Sequence, residues 1–422
     1  MATGAANLRG YLLVTLCYWA FTISDGALRM LVLLHFHEQG QTAWALALLL
    51  VPYEIAGVVT NLASGFLGAR LGLKIPLVLG IALQAIACAL LVADSAQLTL
   101  TYVMSTQVLS GIAKDLTKVS AKSYVRELAP NASGAGLFRL VAWMTGSKNT
   151  MKGLGFFLGG ALLAWCGFRY TNAGLAIGLA CIALLAIAMV PRIEGRKATS
   201  LRSILQQDRV MLWLSAARAF LFGSRDAWFA VALPLYLTAS GWTSLSVGAA
   251  LAVWVILYGV AQGLAPRVGQ RQGQQRPDYQ GQEHRHSGHA AGIRAVRNYT
   301  GLLTLPLLAT ALLVTADVQP LASLLVGLCL YGALFAITSS LHSWLAVSLH
   351  ADERTAERVG FYYAANALGR LLGTLLSGYL FARGALPGDG LAYCLFASVA
   401  AVVLAMFATG MLQRSARLAD IR

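Results

Sequence analysis

The chain has 422 residues, 58% hydrophobic and only 12% charged, with a formal net charge of +15 and a mean hydropathy of +0.66. Water-soluble domains carry about 25% charged residues, so the composition excludes an ordinary soluble globular protein and points to an all-α protein that crosses a membrane many times. Six cysteines are scattered in or beside apolar segments without metal-type spacing and read as small buried hydrophobes, so no metal centre and no cofactor is expected.

Twelve segments follow one another at 11–36, 43–69, 75–94, 98–123, 137–165, 170–190, 210–237, 245–266, 300–317, 320–349, 358–383 and 389–412. A membrane core requires about 20 apolar residues. The first segment is too long and too polar for a cleaved leader and reads as a retained helix. It carries Asp25 and Arg29 at i, i+4, a spacing that faces one side of a helix. The second carries Glu54. The fourth, SGIAKDLTKVSAKSYVREL, places Lys114, Lys118 and Lys122 down one face, with Asp115 beside them. The fifth, TGSKNTMKGLGFFLGG, places Lys148 and Lys152 on one face with Asn149. At about 1.5 Å per residue, Lys148 lies about 16 Å into the bilayer, near its midplane. The seventh carries Arg218, Arg225 and Asp226, the tenth His342, and the eleventh Asn366 and Arg370.

The connections fix the orientation. The stretch 191–209 holds Arg192, Arg196, Lys197, Arg202 and Arg209, and the stretch 267–300 holds Arg267, Arg271, Arg276, Arg285, Arg294 and Arg297. On the other side HEQGQT, DSAQ and TASGWTS hold no Lys or Arg. The positive-inside rule places both termini in the cytoplasm. The basic balance is then topological, and no nucleic-acid partner is expected. Rich in Gly, Gln, Arg and His, 267–300 reads as a long cytoplasmic loop. Its His284, His286 and His289 read as solvated loop residues rather than metal ligands.

Two halves are visible. The stretch from Ser24 can be laid on that from Arg225, so that Asp25 meets Asp226, Gly40 meets Gly241 and Thr42 meets Thr243. This gives a six-helix bundle at 1–190, a linker at 191–209 and a second six-helix bundle at 210–422. Two such pseudo-symmetric halves around a central cavity are the plan of the major facilitator superfamily. GFLGARLGLK at 65–74 resembles that superfamily's cytoplasmic gating loop, with Gly65 and Gly72 for close packing and a tight turn and Arg70 and Lys74 on the cytoplasmic side; Ala69 replaces its usual acid. GFFLGG at 155–160 resembles the end of a glycine-rich antiporter motif, with Phe156 in place of proline; ordinary small-residue helix packing explains it equally well.

Charges inside a membrane cost about 2.5–3.5 kcal/mol each even on the lenient scale, and so face water, a partner or a ligand. The acids are Asp25, Glu54, Asp115 and Asp226. The cations are Arg29, Lys114, Lys118, Lys148, Lys152, Arg218, Arg225 and Arg370. Asp25 with Arg29 and Asp115 with Lys118 are the expected local pairs. The surplus points to an anionic substrate held by Arg29, Lys114, Lys118, Lys148, Lys152, Arg225 and Arg370, with Asn149 and Asn366 orienting it. The four acids are the candidates for proton coupling. The spans hold no HExxH or GxSxG, so an enzyme is not expected.

The stretches YWAFTISDGALRMLVLLHFHEQG (18–40), SGIAKDLTKVSAKS (110–123) and WMTGSKNTMKGLGFFLGG (143–160) resemble the organoarsenical efflux permeases, the ArsJ type of the major facilitator superfamily. The resemblance implies a monomeric carrier in the bacterial cytoplasmic (inner) membrane that exports 1-arseno-3-phosphoglycerate and confers arsenate resistance. It also implies a functional partnership with the glyceraldehyde-3-phosphate dehydrogenase that makes this compound. The alternative cargo is another organophosphate or an organic carboxylate.

Overall fold

The computed structural model describes the backbone of residues 2–128, 134–193, 206–271, 282–349 and 355–420. Side chains are described there except at 2–8, 64–71, 122, 125–128, 134–145, 264–271, 282–288, 347–348, 355–357 and 419–420. The described residues form helices and short connections, with no strand. In chain order the helices are α1 (Ala2–Glu38), α2 (Ala43–Leu71), α3 (Lys74–Leu90), α4 (Leu100–Leu128), α5 (Gly134–Met189), α6 (Arg209–Phe229), α7 (Ala232–Ala239), α8 (Ser244–Arg271), α9 (Gln282–Thr315), α10 (Pro320–Ser348), α11 (Thr355–Phe381) and α12 (Pro387–Asp420).

Seven of them (α1, α2, α5, α8, α9, α10 and α12) are each long and apolar enough to cross a membrane. The three longest of the others, α4, α6 and α11, carry Lys114 and Lys118, Arg218 and Arg225, and Arg370. Their charge is what lowers their hydropathy, and it is also what makes them interesting.

Two breaks shape the helices. Gly167, at φ 77° and ψ 172°, interrupts α5 and turns it into two arms, one on each side of the glycine. This is the boundary expected between the fifth and sixth segments. A second break, at 230–231 between α6 and α7, divides the expected seventh segment. Pro234 explains it: a proline has no N–H and its ring collides with the carbonyl four residues earlier, that of Ala230. The N–H groups of Val231 and Ala232 donate instead to Ser377 Oγ on α11, at 3.2 and 3.0 Å.

One expectation is corrected. The stretch 267–300 is not one long loop. α8 continues to Arg271 and α9 already begins at Gln282; residues 272–281 lie outside the described ones. The reason is a heptad-like stripe that the polar composition hides. Ile293, Val296, Thr300, Leu303 and Leu307 recur at alternating steps of three and four and are all buried. Ile293 and Val296 pack in a cluster with Leu345 on α10, Tyr362 on α11 and Leu412 on α12. His289, with a described side chain, sits on this helix against Trp344, ring centroids 6.0 Å apart.

The turn after α2 has Gly72 at φ 70°, a left-handed conformation that ends a helix most easily at glycine; Lys74 then opens α3. The side chain of Arg70, and the surroundings of Gly65, lie outside the described residues.

The chain packs as two compact units. One comprises Met1–Gln41, Leu48–Leu201 and Gly241–Ile256; the other Thr42–Ala47, Arg202–Ser240 and Leu257–Arg422. Each contains a helix pair in glycine-mediated contact. In the first unit a Cβ on Gly26 of α1 would lie 2.7 Å from the Lys152 carbonyl oxygen of α5. In the second a Cβ on Gly369 of α11 would lie 2.0 Å from the Ala219 carbonyl oxygen of α6. GFFLGG serves this packing: Gly155 and Gly159 face α1, and Gly160 faces Gly248 of α8.

Candidate functional site

Each unit buries its own cluster of charges, built on the same glycine-mediated helix pair. In the first unit Asp25, one residue before Gly26, meets Lys152 of α5, with Nζ 3.5 Å from Oδ2. In the second, Asp226 of α6 meets Arg370 of α11, next to Gly369, with Nε 3.0 Å from Oδ2. The acids that the sequence aligns as copies thus make equivalent pairs. Close backbone approach brings the acid of one helix within reach of the cation of the other.

Around Asp25 the first unit builds a ladder. Tyr53 of α2 donates its hydroxyl to Asp25 Oδ1 at 2.5 Å. Its neighbour Glu54 accepts from Arg29 Nη1 at 3.2 Å. Arg29 therefore bonds across to α2 and not to Asp25 one turn below it, a correction to the local pair expected from i, i+4 spacing. Adjacent residues on a helix point about 100° apart, so Tyr53 and Glu54 address the two α1 charges separately. On α4, Lys118 bonds Asp115 and donates to Asn61 Oδ1 at 2.8 Å.

Lys114 is held more loosely. Its ammonium lies 3.9 Å from Glu54 Oε2 and 3.8 Å from Asp115 Oδ2, too far for a hydrogen bond to either. It sits 4.0 Å from the centre of the Tyr53 ring. Gly57 makes room for it: a Cβ there would be 2.9 Å from Nζ. Asp25, Arg29, Tyr53, Gln107 and Ser110 line a crevice beside these groups that is too narrow to admit a water molecule. Lys148 and Asn149 are half-buried on α5, one turn before Lys152. Ser147, on the same turn, accepts from Trp19 Nε1 at 3.0 Å.

The second cluster is arginine-rich. Asp226 is 1% exposed and receives Arg225, whose Nε lies 2.7 Å from Oδ1, as well as Arg370. Arg218, two turns before Arg225, donates to Asn366 Oδ1 at 3.1 Å and to the Ser339 carbonyl at 2.9 Å. Both arginines of α6 lie by Phe222, their guanidinium carbons 4.0 and 4.9 Å from its centroid. Tyr258 and Gln262 reach Ser339 Oγ at 3.2 and 3.3 Å.

The sequence reading named the charges but missed the residues that hold them: Tyr53, Asn61, Gly57, Phe222 and Ser339. Tyr53 stands next to Glu54, and Asn61 two helical turns beyond it, on an apolar helix, a signal that was available. Gly57 and Phe222 carry no such mark. Among the described residues no cluster of His, Cys, Asp and Glu is arranged to hold a metal.

A multi-spanning helical protein with buried, mutually paired charges in each of two units has the construction of a solute carrier. The chain matches the model of the Major Facilitator Superfamily over residues 10–277 and belongs to that family. It is a membrane transporter. Its fold is similar to those of a proton-dependent oligopeptide transporter (TM-score 0.72, 13% identity, 98% of this chain and 99% of that one) and an aspartate-to-alanine variant of the nucleoside transporter NupG (0.68, 16%, 96% and 99%). A bacterial homologue of the human drug peptide transporters PepT1 and PepT2 is similar too (0.69, 14%, 98% and 99%). At these identities the likeness is one of fold. A comparison with curated proteins gave no match.

Proposed function

We propose that the chain exports an organic oxyanion, 1-arseno-3-phosphoglycerate, from the cytoplasm by alternating access. The observation that carries the anion reading is the surplus of buried cations. In the second unit Arg225 and Arg370 pair with Asp226, and Arg218 lies buried two turns before Arg225 on neutral acceptors. In the first, Arg29, Lys114, Lys118 and Lys152 accompany Asp25, Glu54 and Asp115, with Lys148 one turn away. Arginine presents a planar fork to phosphate-like oxyanions and lysine a compact point charge. The arsenic-bearing cargo rests on the resemblance of three stretches on α1, α4 and α5 to the organoarsenical permeases. A substrate with a phosphate at one end and an arsenate ester at the other suits a chain this rich in buried cations.

In this mechanism Asp25, Glu54, Asp115 and Asp226 act as resident counter-ions. They hold the lysines and arginines while the carrier is empty and yield them to the substrate anion. The same carboxylates are where a proton is taken if transport is proton-coupled. The membrane potential, negative inside, drives an anion outward by about 2.3 kcal/mol per charge per 100 mV, which favours export without a further coupling ion. Both termini lie in the cytoplasm and the carrier works in the inner membrane as a monomer. Its partnership with the glyceraldehyde-3-phosphate dehydrogenase is functional, through the compound that enzyme releases.

Everted membrane vesicles test this. They receive arsenate, glyceraldehyde 3-phosphate, NAD and the dehydrogenase, and arsenic inside is measured. Accumulation is expected only with all four components present, and is expected to fail in Lys148→Ala and Arg225→Gln. Absence of accumulation with correctly inserted protein would transfer the cargo to another organophosphate or an organic carboxylate, which the same cations suit. Competition by such compounds identifies which.

A further inference from the structure

We propose that Arg218 is a second oxyanion-binding residue, and that Arg218 and Arg225 together read a two-headed anion along α6, one guanidinium for each charged end. This rests on the anion-export reading above and specifies the shape of its substrate.

Arg218 is unlike the other membrane arginines. It is only 4% exposed, yet its polar partners are neutral: the Asn366 side-chain oxygen and the Ser339 carbonyl. Arg29 pairs with Glu54, and Arg225 and Arg370 with Asp226. No described carboxylate lies within ion-pair distance of Arg218. A full positive charge in a low-dielectric interior without a counter-ion is unfavourable, and in membranes such a charge marks a ligand path. Phe222 and Tyr362 lie against the guanidinium at 4.0 and 5.2 Å from their centroids, and Nε and Nη1 donate to Asn366 and Ser339.

Two further groups point to a ligand. His342 is fully buried, and neither ring nitrogen has a hydrogen-bond partner among the described residues. It lies three residues beyond Ser339 on α10, on the same helix face. The Tyr362 hydroxyl is likewise buried, four residues before Asn366 on α11, with the Ser343 hydroxyl of α10 as a polar neighbour. Both residues therefore share faces with groups that touch Arg218. An imidazole N–H and a phenol O–H are donors suited to an oxyanion on that guanidinium.

The second head follows from helix geometry. Arg218 and Arg225 are seven residues apart, two turns or about 10.5 Å along the axis. Phe222 stands between them and within 5 Å of both guanidinium carbons. Its ring offers an apolar wall to a short carbon chain whose two ends carry phosphate, arsenate or carboxylate groups.

The test uses the full chain in lipid nanodiscs. Binding is read from the thermal unfolding shift with 3-phosphoglycerate, which has two anionic ends, and with glycerol 3-phosphate, which has one. Wild type is expected to bind the two-headed probe about tenfold more tightly. Arg218→Gln is expected to lose that advantage and keep its affinity for the one-headed probe. Arg218→Lys, with the charge but not the fork, is expected to fall between. Equal discrimination by wild type and Arg218→Gln overturns the proposal, as does a variant that unfolds early and loses both probes alike. Wild type that binds neither probe overturns the oxyanion reading itself, a different result from failure at Arg218 alone.

Discussion

The two charge clusters share one plan and solve it differently. In the first unit three carboxylates and four cations interleave across α1, α2, α4 and α5, so each charge has a neighbour of opposite sign. In the second, two arginines meet one aspartate, and a third, Arg218, has only neutral acceptors among the described residues. Lysines dominate the first cluster and arginines the second. The balanced cluster resembles a set of exchangeable counter-ions, in which Lys114 is close to two carboxylates and bonded to neither. The unbalanced one resembles a receptor for an anion that arrives from elsewhere. The two clusters share an acid–cation pair, Asp25 with Lys152 and Asp226 with Arg370, and differ in how much charge accompanies it.

The largest effect is expected where the second cluster has no reserve. Asp226→Asn removes the carboxylate that Arg225 and Arg370 share. Breaking a buried pair in this way costs about 3–5 kcal/mol, and denaturation in detergent should register it together with loss of export. Asp25→Asn should cost less, about 1.5–3 kcal/mol for one charge-assisted hydrogen bond, because Glu54 and Asp115 remain. Equal costs for the two variants would break the contrast between the clusters. Releasing Lys152 from Asp25 should also tighten anion binding in Asp25→Asn while slowing turnover, which a binding isotherm and a vesicle uptake rate separate.

Glycine substitutions sharpen the comparison at smaller scale. Gly26→Ala and Gly369→Ala drive a methyl into backbone on the partner helix, and overpacking of this kind costs about 1–3 kcal/mol. Gly57→Ala meets side-chain ends and no backbone, Lys114 Nζ at 2.9 Å and Asp115 Oδ2 at 3.2 Å. Its unfolding temperature should stay close to wild type while transport falls, because the ammonium is pushed from its place between Glu54 and Asp115. A Gly57→Ala carrier with normal transport would show that the position of Lys114 is not used.

Hydropathy made the spans legible. Long apolar runs, bounded by charged or glycine-containing connections, announce helices whatever they pack against, and Gly167 sits where the fifth and sixth segments were expected to separate. α9 was less legible because its first half is polar in composition, and only the spacing of Ile293, Val296 and Thr300 betrays a buried face. Pro234 was a readable sign of the break between α6 and α7 inside a segment that looked continuous. The partners of the buried charges were not legible. Spacing on one helix favoured Arg29 with Asp25, whereas the fold brought Tyr53 and Glu54 between them from α2. Local distance in sequence says which charges are able to pair; only tertiary packing says which do.

The central claim is that the buried cation surplus carries a negatively charged solute. Charge movement tests it most directly. Proteoliposomes on a solid-supported membrane would be exposed in turn to 3-phosphoglycerate, a neutral nucleoside and a zwitterionic dipeptide. The account predicts a transient current with the sign of moving negative charge for the phosphate-bearing anion, abolished in Arg225→Gln, and none for the other two. Transport of the nucleoside or the peptide, with no current from the anion in correctly inserted protein, would contradict it.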